Sequence, residues 1–350
     1  MPDIYFSPQP VEIDFEEPHI PGTPKPQEPE QVPDKNKKRK KHRVLKHFIR
    51  IIALIFVFVF LFTAGAAFFI GYNHKELKRN SYISKSELYN NPLVTNIILV
   101  GIDGTSDEST RSDSMILLSL DYVHAKIKMT SFLRDSWVPI PGKNNYHKLN
   151  ASFAYGGVQL LSDTLEYNFR TDIDHYIKVD FEMFTRIIDE LGGIDIEITD
   201  TEASFINKTT RYTVTSGKSV HIDGNVALVY SRIRKLDSDY MRTYRQRKVI
   251  TAIIDKIRHT GLTELFNMVR DVLPLLETDL SPFEISALFF KGGFAALFFK
   301  IQQIRIPTEE LMYADYRNGQ WVEIIDIEGC RQQIYDFIYK SYKDEKSEEN

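Results

Sequence analysis

The sequence predicts an α/β protein with a mixed central sheet layered between helices, preceded by one transmembrane helix. Three observations carry this. From residue 93 onward, apolar runs suited to strands alternate with helical patterns, the mark of a layered α/β domain. Residues 51–72 hold no charged side chain over 22 positions, long enough to cross a bilayer as a helix. A single cysteine, Cys330, excludes an intrachain disulfide and a cysteine-based zinc site. The long segment after the apolar run must therefore be held by its own core.

The net charge of −4 is unevenly spread. Residues 1–34 hold eight acids, one lysine and nine of the fifteen prolines. Proline offers no backbone donor and the acids repel, so this reads as a disordered tail. Residues 35–50 hold nine Lys/Arg and no acid. Alone, such a run suits nuclear localisation or RNA binding. Beside the apolar run it places residues 1–50 in the cytoplasm, with a cell-membrane anchor at 51–72 and an extracellular domain beyond. A cleaved signal peptide is the competing reading, because Ala64-Gly-Ala-Ala67 resembles a cleavage site. The run is too long and starts too late for that. Residues 73–350 carry −6 by difference, which argues against a nucleic-acid partner bound through bulk charge.

Residues 73–93 read as a stalk, 94–345 as the main domain and 346–350 as a disordered end. Within the domain, strands are expected at 96–102, 114–122 and 126–132, the last two joined as a hairpin around 121–125. A helix follows at 157–169, a strand at 175–179 and a helix at 181–191 that stops at Gly192-Gly193. A strand is expected at 194–199. Asp223 is placed to cap a short helix through Tyr230. Helices are expected at 240–259, 262–276 and 282–290, strands at 301–306 and 320–325, and a closing helix at 330–342. Residues 283–299 carry six phenylalanines. Glu284, Lys291 and the Gly292-Gly293 pair divide them into pieces too short to span a membrane, so a buried core helix is expected.

No G-x-S-x-G elbow, H-E-x-x-H, Walker A or G-x-G-x-x-G pattern occurs. Arginine beside aspartate at strand ends does. Asp103 closes the first strand, Arg111-Ser112-Asp113 precedes the second, and Arg134-Asp135 closes the third. Residues 230–250 add Arg232, Arg234, Asp239, Arg242, Arg245, Gln246 and Arg247. If 231–235 is extended, Arg232 and Arg234 share a face. If the chain is helical from Tyr240, Arg242, Arg245 and Gln246 form one stripe. Asp239 falls near that helix's start, where the dipole favours a carboxylate. Arginine forks grip phosphate oxygens bidentately and stay charged. Carboxylates in the same place suit a bridging divalent cation, which makes Asp103 and Asp113 candidate Mg2+ ligands. The residues thus point to a phosphate or pyrophosphate site with a metal. The plainer alternatives are a solvated basic face, above all for Arg245, Arg247 and Lys248, and surface ion pairs of little worth.

Eight segments resemble the LytR-CpsA-Psr family of bacterial cell-envelope proteins, in the family's order across residues 94–280. They are NIILVGID (96–103), RSDSMILLSL (111–120), SFLRDSWVPIPG (131–142), HKLNASFAYGG (147–157), DHYIKVDF (174–181), DELGGIDIEI (189–198), DGNVALVYSRIRK (223–235) and DYMRTYRQRKVI (239–250). The resemblance implies a phosphotransferase. Its substrate would be an anionic glycopolymer, of wall teichoic acid or capsular polysaccharide type, on a polyprenyl pyrophosphate carrier. The acceptor would be a peptidoglycan hydroxyl and the cofactor Mg2+. By position, Asp103 and Asp113 would hold the metal. Arg111, Arg134, Arg232, Arg234, Arg242 and Gln246 would contact the pyrophosphate, with Lys148 as a further contact. Asp239 would orient an arginine or take part in proton transfer. The lipid would need an apolar slot, which the phenylalanine-rich helices suit. The chain departs from the family at Gly104-Thr105-Ser106, where an arginine is common, and at Phe132-Leu133, where Ile-Pro is common. Two other function classes remain open at this stage. One is a membrane-bound transcriptional attenuator, and the other is a scaffold that binds lipid or polysaccharide without turnover.

Overall fold

The computed structural model describes residues 71–103, 112–236 and 239–340. The expected cytoplasmic tail, all but the last two residues of the expected span, Arg111 and the C-terminal end lie outside the described residues. Among the described residues no helix is long and apolar enough to cross a membrane.

The strands are β1 (Asn73–His74), β2 (Val94–Ile102), β3 (Ser112–Asp121), β4 (Lys126–Phe132), β5 (Ser136–Pro139), β6 (Tyr146–Lys148), β7 (His175–Val179), β8 (Ile194–Ile198), β9 (Gly217–Ile222), β10 (Glu277–Thr278), β11 (Lys300–Ile306), β12 (Met312–Arg317) and β13 (Gln320–Ile325). The helices are α1 (Ala151–Phe169), α2 (Phe181–Glu190), α3 (Asp200–Thr209), α4 (Gly224–Ser231), α5 (Asp239–His259), α6 (Leu262–Val272), α7 (Pro282–Phe298) and α8 (Ile327–Ile338).

Seven strands form the central sheet in the order β1-β10-β7-β2-β3-β4-β11. It is mixed, as expected. β2 runs antiparallel to β3 and parallel to β7, and β11 lies parallel to β4. Strand β2 holds the centre because its run is apolar on both sides, with Ile97, Ile98, Val100 and Ile102 all buried. One face packs on α1 and α8 through Ile98, Val100, Phe169 and Ile334. The other packs on α5 and α7 through Leu120, Ile127, Ile254 and Ala295. A separate cluster joins the antiparallel β8–β9 pair and helices α2, α3 and α4 to α5 around Ile188, Ile196, Ile206 and Val249.

Most expected elements appear within a few residues of their expected bounds. Helix α1 carries a break where the sequence placed its start, because Gly157 sits at φ +62 and interrupts the helix. Three expectations need correction. The segment read as a stalk lies against the domain in its described residues. Asn73 N donates to Leu276 O at 3.2 Å, Asn80 Nδ2 donates to Glu166 Oε2 at 2.9 Å, and Ile83 and Leu88 are buried. Helix α7 runs unbroken through Gly292-Gly293, since neither glycine adopts a positive φ. Its start is fixed by the Ser281–Glu284 capping box with Pro282 in the first turn. Nor is α7 a buried core helix, because Phe283, Phe294, Leu297 and Phe298 are exposed. The strands β1, β5, β6, β9, β10 and β12 and helix α3 were not expected.

Candidate active site

Strand direction gathers the acidic and basic residues at one edge. β2 ends where its antiparallel neighbour β3 begins, and β4, antiparallel to β3, ends at the same edge. Asp103, Asp113, Arg134 and Asp135 therefore meet although they are far apart in sequence. Asp113 has a particular position. Gly101 pairs with Ser114 and Ile102 with Ser112, so Asp113 is the extra residue of a β-bulge. A bulge re-aims a side chain and frees its backbone from the ladder. Gly101 permits the close approach, since a Cβ there would stand 3.0 Å from the Ser114 Cβ.

The second half of the site comes from the turn between α4 and α5. Asp223 caps α4 by accepting from Val226 N, and the helix ends at Ser231. Residues 231–235 are not the extended segment expected, because Arg232 is the helical C-cap. Both arginines nevertheless reach the sheet edge. Arg232 Nη2 lies 3.4 Å from Asp103 Oδ2, and its guanidinium stacks 4.2 Å from the Phe181 ring centroid. Arg234 Nη2 lies 3.3 Å from Asp113 Oδ1 and its Nε 3.9 Å from Asp239 Oδ1. From α5, Arg242 Nη2 donates to Asp239 Oδ2 at 2.9 Å and to the freed Asp113 carbonyl at 3.2 Å. One turn further, Gln246 Oε1 accepts from Ser114 Oγ at 3.1 Å.

From the sheet, Arg134 Nη1 meets Asp113 Oδ1 at 2.8 Å, and its Nε lies 3.4 Å from Asp135 and 3.7 Å from Asp239. Burial pulls the Arg134 guanidinium down, but the carboxylates of Asp239, Asp135 and Asp113 outweigh it and hold the group above its ordinary value. Lys148 Nζ pairs with Asp135 Oδ1 at 2.7 Å. Arg242 differs from its neighbours. Its side chain is 2% exposed, and Nε and Nη1 are buried with no partner. Burial draws it down to about 10, against the pull of Asp239, so it is still a cation at neutral pH. Asp239 pairs with only one of its nitrogens, and buried donors without partners are costly unless an anion arrives.

Ion pairs in the described site join five cations, Arg134, Lys148, Arg232, Arg234 and Arg242, to four carboxylates, Asp103, Asp113, Asp135 and Asp239. The near balance means that a polyanion needs further positive charge to bind well. Among the described residues no three or more His, Cys, Asp or Glu side chains form a ready metal cage. Asp103 and Asp113 still fit a hard cation that takes few protein carboxylates and completes its shell with water and phosphate oxygens.

The site departs from the expected stripe on α5. Arg245 points away, with Nε bonded to Glu202 Oε1 at 2.7 Å in the interior. Arg247 is 4% exposed and donates to Gln303 Oε1 at 2.9 Å. Lys248 donates to Glu197 O at 2.8 Å. These three are structural, and the solvated-face reading fails because α5 is covered on both sides by the sheet and the β8–β9 unit. Asp135, which the sequence pairs with Arg134 at a strand end, holds Arg134 and Lys148. Three contributors escaped the sequence reading. Phe181 and Ser114 support Arg232 and Gln246. Glu323 on β13 faces the same charges, and burial, then Asp135, pushes its carboxyl up.

The LytR_cpsA_psr family profile matches residues 62–334. The polyisoprenyl-teichoic acid–peptidoglycan teichoic acid transferase TagT of Bacillus subtilis is 29% identical over 257 residues, 69% of this chain and 80% of that protein. The transferase TagU of Bacillus licheniformis is 30% identical over 256 residues, 70% of this chain and 80% of its own. Among solved structures, TagT bound to LIIa-WTA superposes with a TM-score of 0.63 at 27% identity, over 76% of this chain and 99% of that one. The TagT structure with bound octaprenyl pyrophosphate lipid gives a TM-score of 0.59 at 25% identity, over 76% and 99%.

Proposed function

The chain belongs to the LytR-CpsA-Psr family, and from that premise we propose that it is a glycopolymer phosphotransferase of the cell envelope. It takes an anionic glycopolymer of teichoic acid or capsular polysaccharide type from a polyprenyl pyrophosphate carrier and joins it to a peptidoglycan hydroxyl. The observation that carries this reading is Arg242, a buried cation with two unpartnered N–H groups at the centre of the arginine cluster.

The chemistry is one in-line displacement. The acceptor hydroxyl oxygen bonds to the phosphorus that bears the glycopolymer, and its proton passes to the departing polyprenyl phosphate. The bond from that phosphorus to the bridging oxygen breaks, and polyprenyl phosphate leaves. Such a transfer needs positioning and charge neutralisation more than covalent help. Arg134, Arg232, Arg234 and Arg242 bind and orient the pyrophosphate oxygens, with Lys148 and Gln246 at the margins. Arg111, two positions before Asp113 in the sequence, lies outside the described residues and keeps its assignment as a pyrophosphate contact. Asp239 accepts from Arg242 and stands within 4 Å of Arg134 and Arg234, so we assign it to holding the arginine cluster. A Mg2+ ion held by Asp103 and Asp113 would supply the remaining neutralisation of the diphosphate.

We place this domain outside the cell, anchored by residues 51–72, with residues 1–50 in the cytoplasm. The relatives' function in joining teichoic acid to peptidoglycan and the basic flank before Ile51 support that placement. The test is transfer by the full chain in vesicles carrying the lipid-linked polymer, with peptidoglycan as acceptor and phosphodiester-linked product as readout. Carrier binding without product would replace the transferase with a scaffold.

A further inference from the structure

Helix α7 carries an apolar stripe that the domain does not cover. Phe294, Leu297 and Phe298 are exposed, and Phe298 is 69% exposed. At 100° per residue these positions fall within about 100° of arc, so they form one face of the C-terminal part of the helix. The side turned from it is packed, with Ala295 and Ala296 buried. Lys291 and Lys300 stand exposed beside the stripe. A contiguous exposed face of two phenylalanines and a leucine marks a contact surface.

The point where the chain meets the 51–72 segment is tied to the start of this helix. Tyr72 OH donates to Leu280 O at 2.7 Å, two residues before Pro282. Asn73 and His74 pair with Glu277 and Thr278 in parallel register, and Lys75 N donates to Thr278 O at 3.0 Å. No flexible linker separates the expected end of the span from α7. The far end of α7 leads into Lys300, which pairs with Lys126 at the start of β4. The arginine cluster sits beyond the other end of β4, at Arg134. β4 has seven residues, so its two ends lie about 20 Å apart.

We propose that α7 lies flat on the outer surface of the lipid bilayer, with Phe294, Leu297 and Phe298 inserted among the headgroups. This goes beyond the proposed transferase reading and rests on its anchored topology. An amphipathic helix with aromatic residues on one face and lysines at its border suits the interface between headgroups and acyl chains, at a depth of roughly 5–10 Å. The tie between Tyr72 and Leu280 presents the helix to that interface. Docking along α7 stands the domain on the end of its sheet away from the arginine cluster. The reactive edge then faces outward, towards a polymer acceptor.

The test uses the full chain in liposomes of phosphatidylcholine and phosphatidylglycerol. Cys330 is buried and burial pushes its thiol up to about 12, so an introduced cysteine is labelled selectively. Phe294→Cys and Phe298→Cys each receive an environment-sensitive fluorophore. Tyr316→Cys serves as control, because its hairpin extends from β5 beyond the arginine edge. Shallow brominated lipids are expected to quench both α7 labels and leave the control bright. Unmodified chain is tested in parallel with a lipid-borne photoreactive group, and adducts are expected in both 51–72 and 282–298. Adducts in 51–72 alone, with both α7 labels unquenched, overturn the docking and leave the anchor standing. Adducts in neither overturn both. Self-quenching at α7 that scales with protein density, without lipid quenching, assigns the stripe to a second copy and overturns the proposal.

Discussion

Arg242 gives one guanidinium nitrogen, Nη2, to Asp239 at 2.9 Å and leaves Nε and Nη1 buried without partners. Two donors are thus held in place before any substrate arrives, and their orientation is set by the carboxylate rather than by the ligand. Preorganised donors cost no rearrangement when charge develops.

The first prediction separates Arg242 from Arg232. Arg242→Lys keeps a charge but loses the fork. Loss of a charged hydrogen bond costs ~1.5–3 kcal/mol, which is roughly 10- to 150-fold in transfer rate. Arg232 is half exposed, so solvent screens it and Arg232→Lys is expected to slow transfer by roughly fivefold or less. Rates of purified variants decide it. Equal losses at the two positions would show that burial does not set the contribution.

Asp113 and Asp103 differ in the same way. Mg2+ and the carrier are expected to bind with positive coupling, each tightening the other by one factor. Calorimetry should show weak Mg2+ binding to the free protein and clear binding with polyprenyl pyrophosphate present. Asp103→Asn should lose that coupling while the arginines stay in place. Asp113→Asn should also weaken carrier binding without metal, because Asp113 holds both Arg134 and Arg234. The same Mg2+ affinity with and without carrier would leave an arginine-only site.

Arg247 supports the fold. Arg247→Lys removes the bond to Gln303 from a buried position, and a stability loss of about 1–3 kcal/mol is expected in urea unfolding. Arg245→Ala strands Glu202 in the interior and should cost about 3–5 kcal/mol. Stability equal to the parent in both would return these residues to a solvated surface.

Glu166 gives the fold a pH dependence. Burial pushes its carboxyl from 4.5 up to about 7, although Ile173 N and Asn80 donate to it. The folded state therefore binds a proton that the unfolded chain releases at lower pH. This contribution to stability is full below about pH 4.5 and is lost as pH rises to about 7, by up to ~3 kcal/mol. Burial raises Asp163 and Asp174 as well, which deepens the trend. Thermal unfolding of Glu166→Gln between pH 5 and pH 8 should be flatter than that of the parent. An unchanged slope would place the titration elsewhere.

Much of this was legible in the sequence for identifiable reasons. The run at 96–102 reads as a central strand because only two-sided burial makes a strand apolar throughout. Asp103, Asp113 and Arg134 could be proposed together because strand ends collect at edges. Arg245 and Arg247 were misread because helical spacing fixes which residues share a face, not what covers that face. Their cover comes from Glu202 and Gln303, 43 and 56 residues away. The bulge at Asp113 and the stacking of Phe181 under Arg232 depend on register and on distant chain, and neither leaves a local pattern.

The parallel pairing of β11 with β4 joins residues 300–306 to residues 126–132. No local turn can nucleate that contact, and its closure must overcome the entropy of the long intervening loop. Arg305 on β11 stacks 4.1 Å over the ring of Tyr240, two positions before Arg242. The first turn of α5 therefore lacks its neighbour until the chain has been delivered almost to its end. A polypeptide threaded outward from its N-terminus would complete the sheet last beside the arginine cluster. Truncation upstream of residue 300 would remove this bracing while leaving every arginine of the cluster in the sequence.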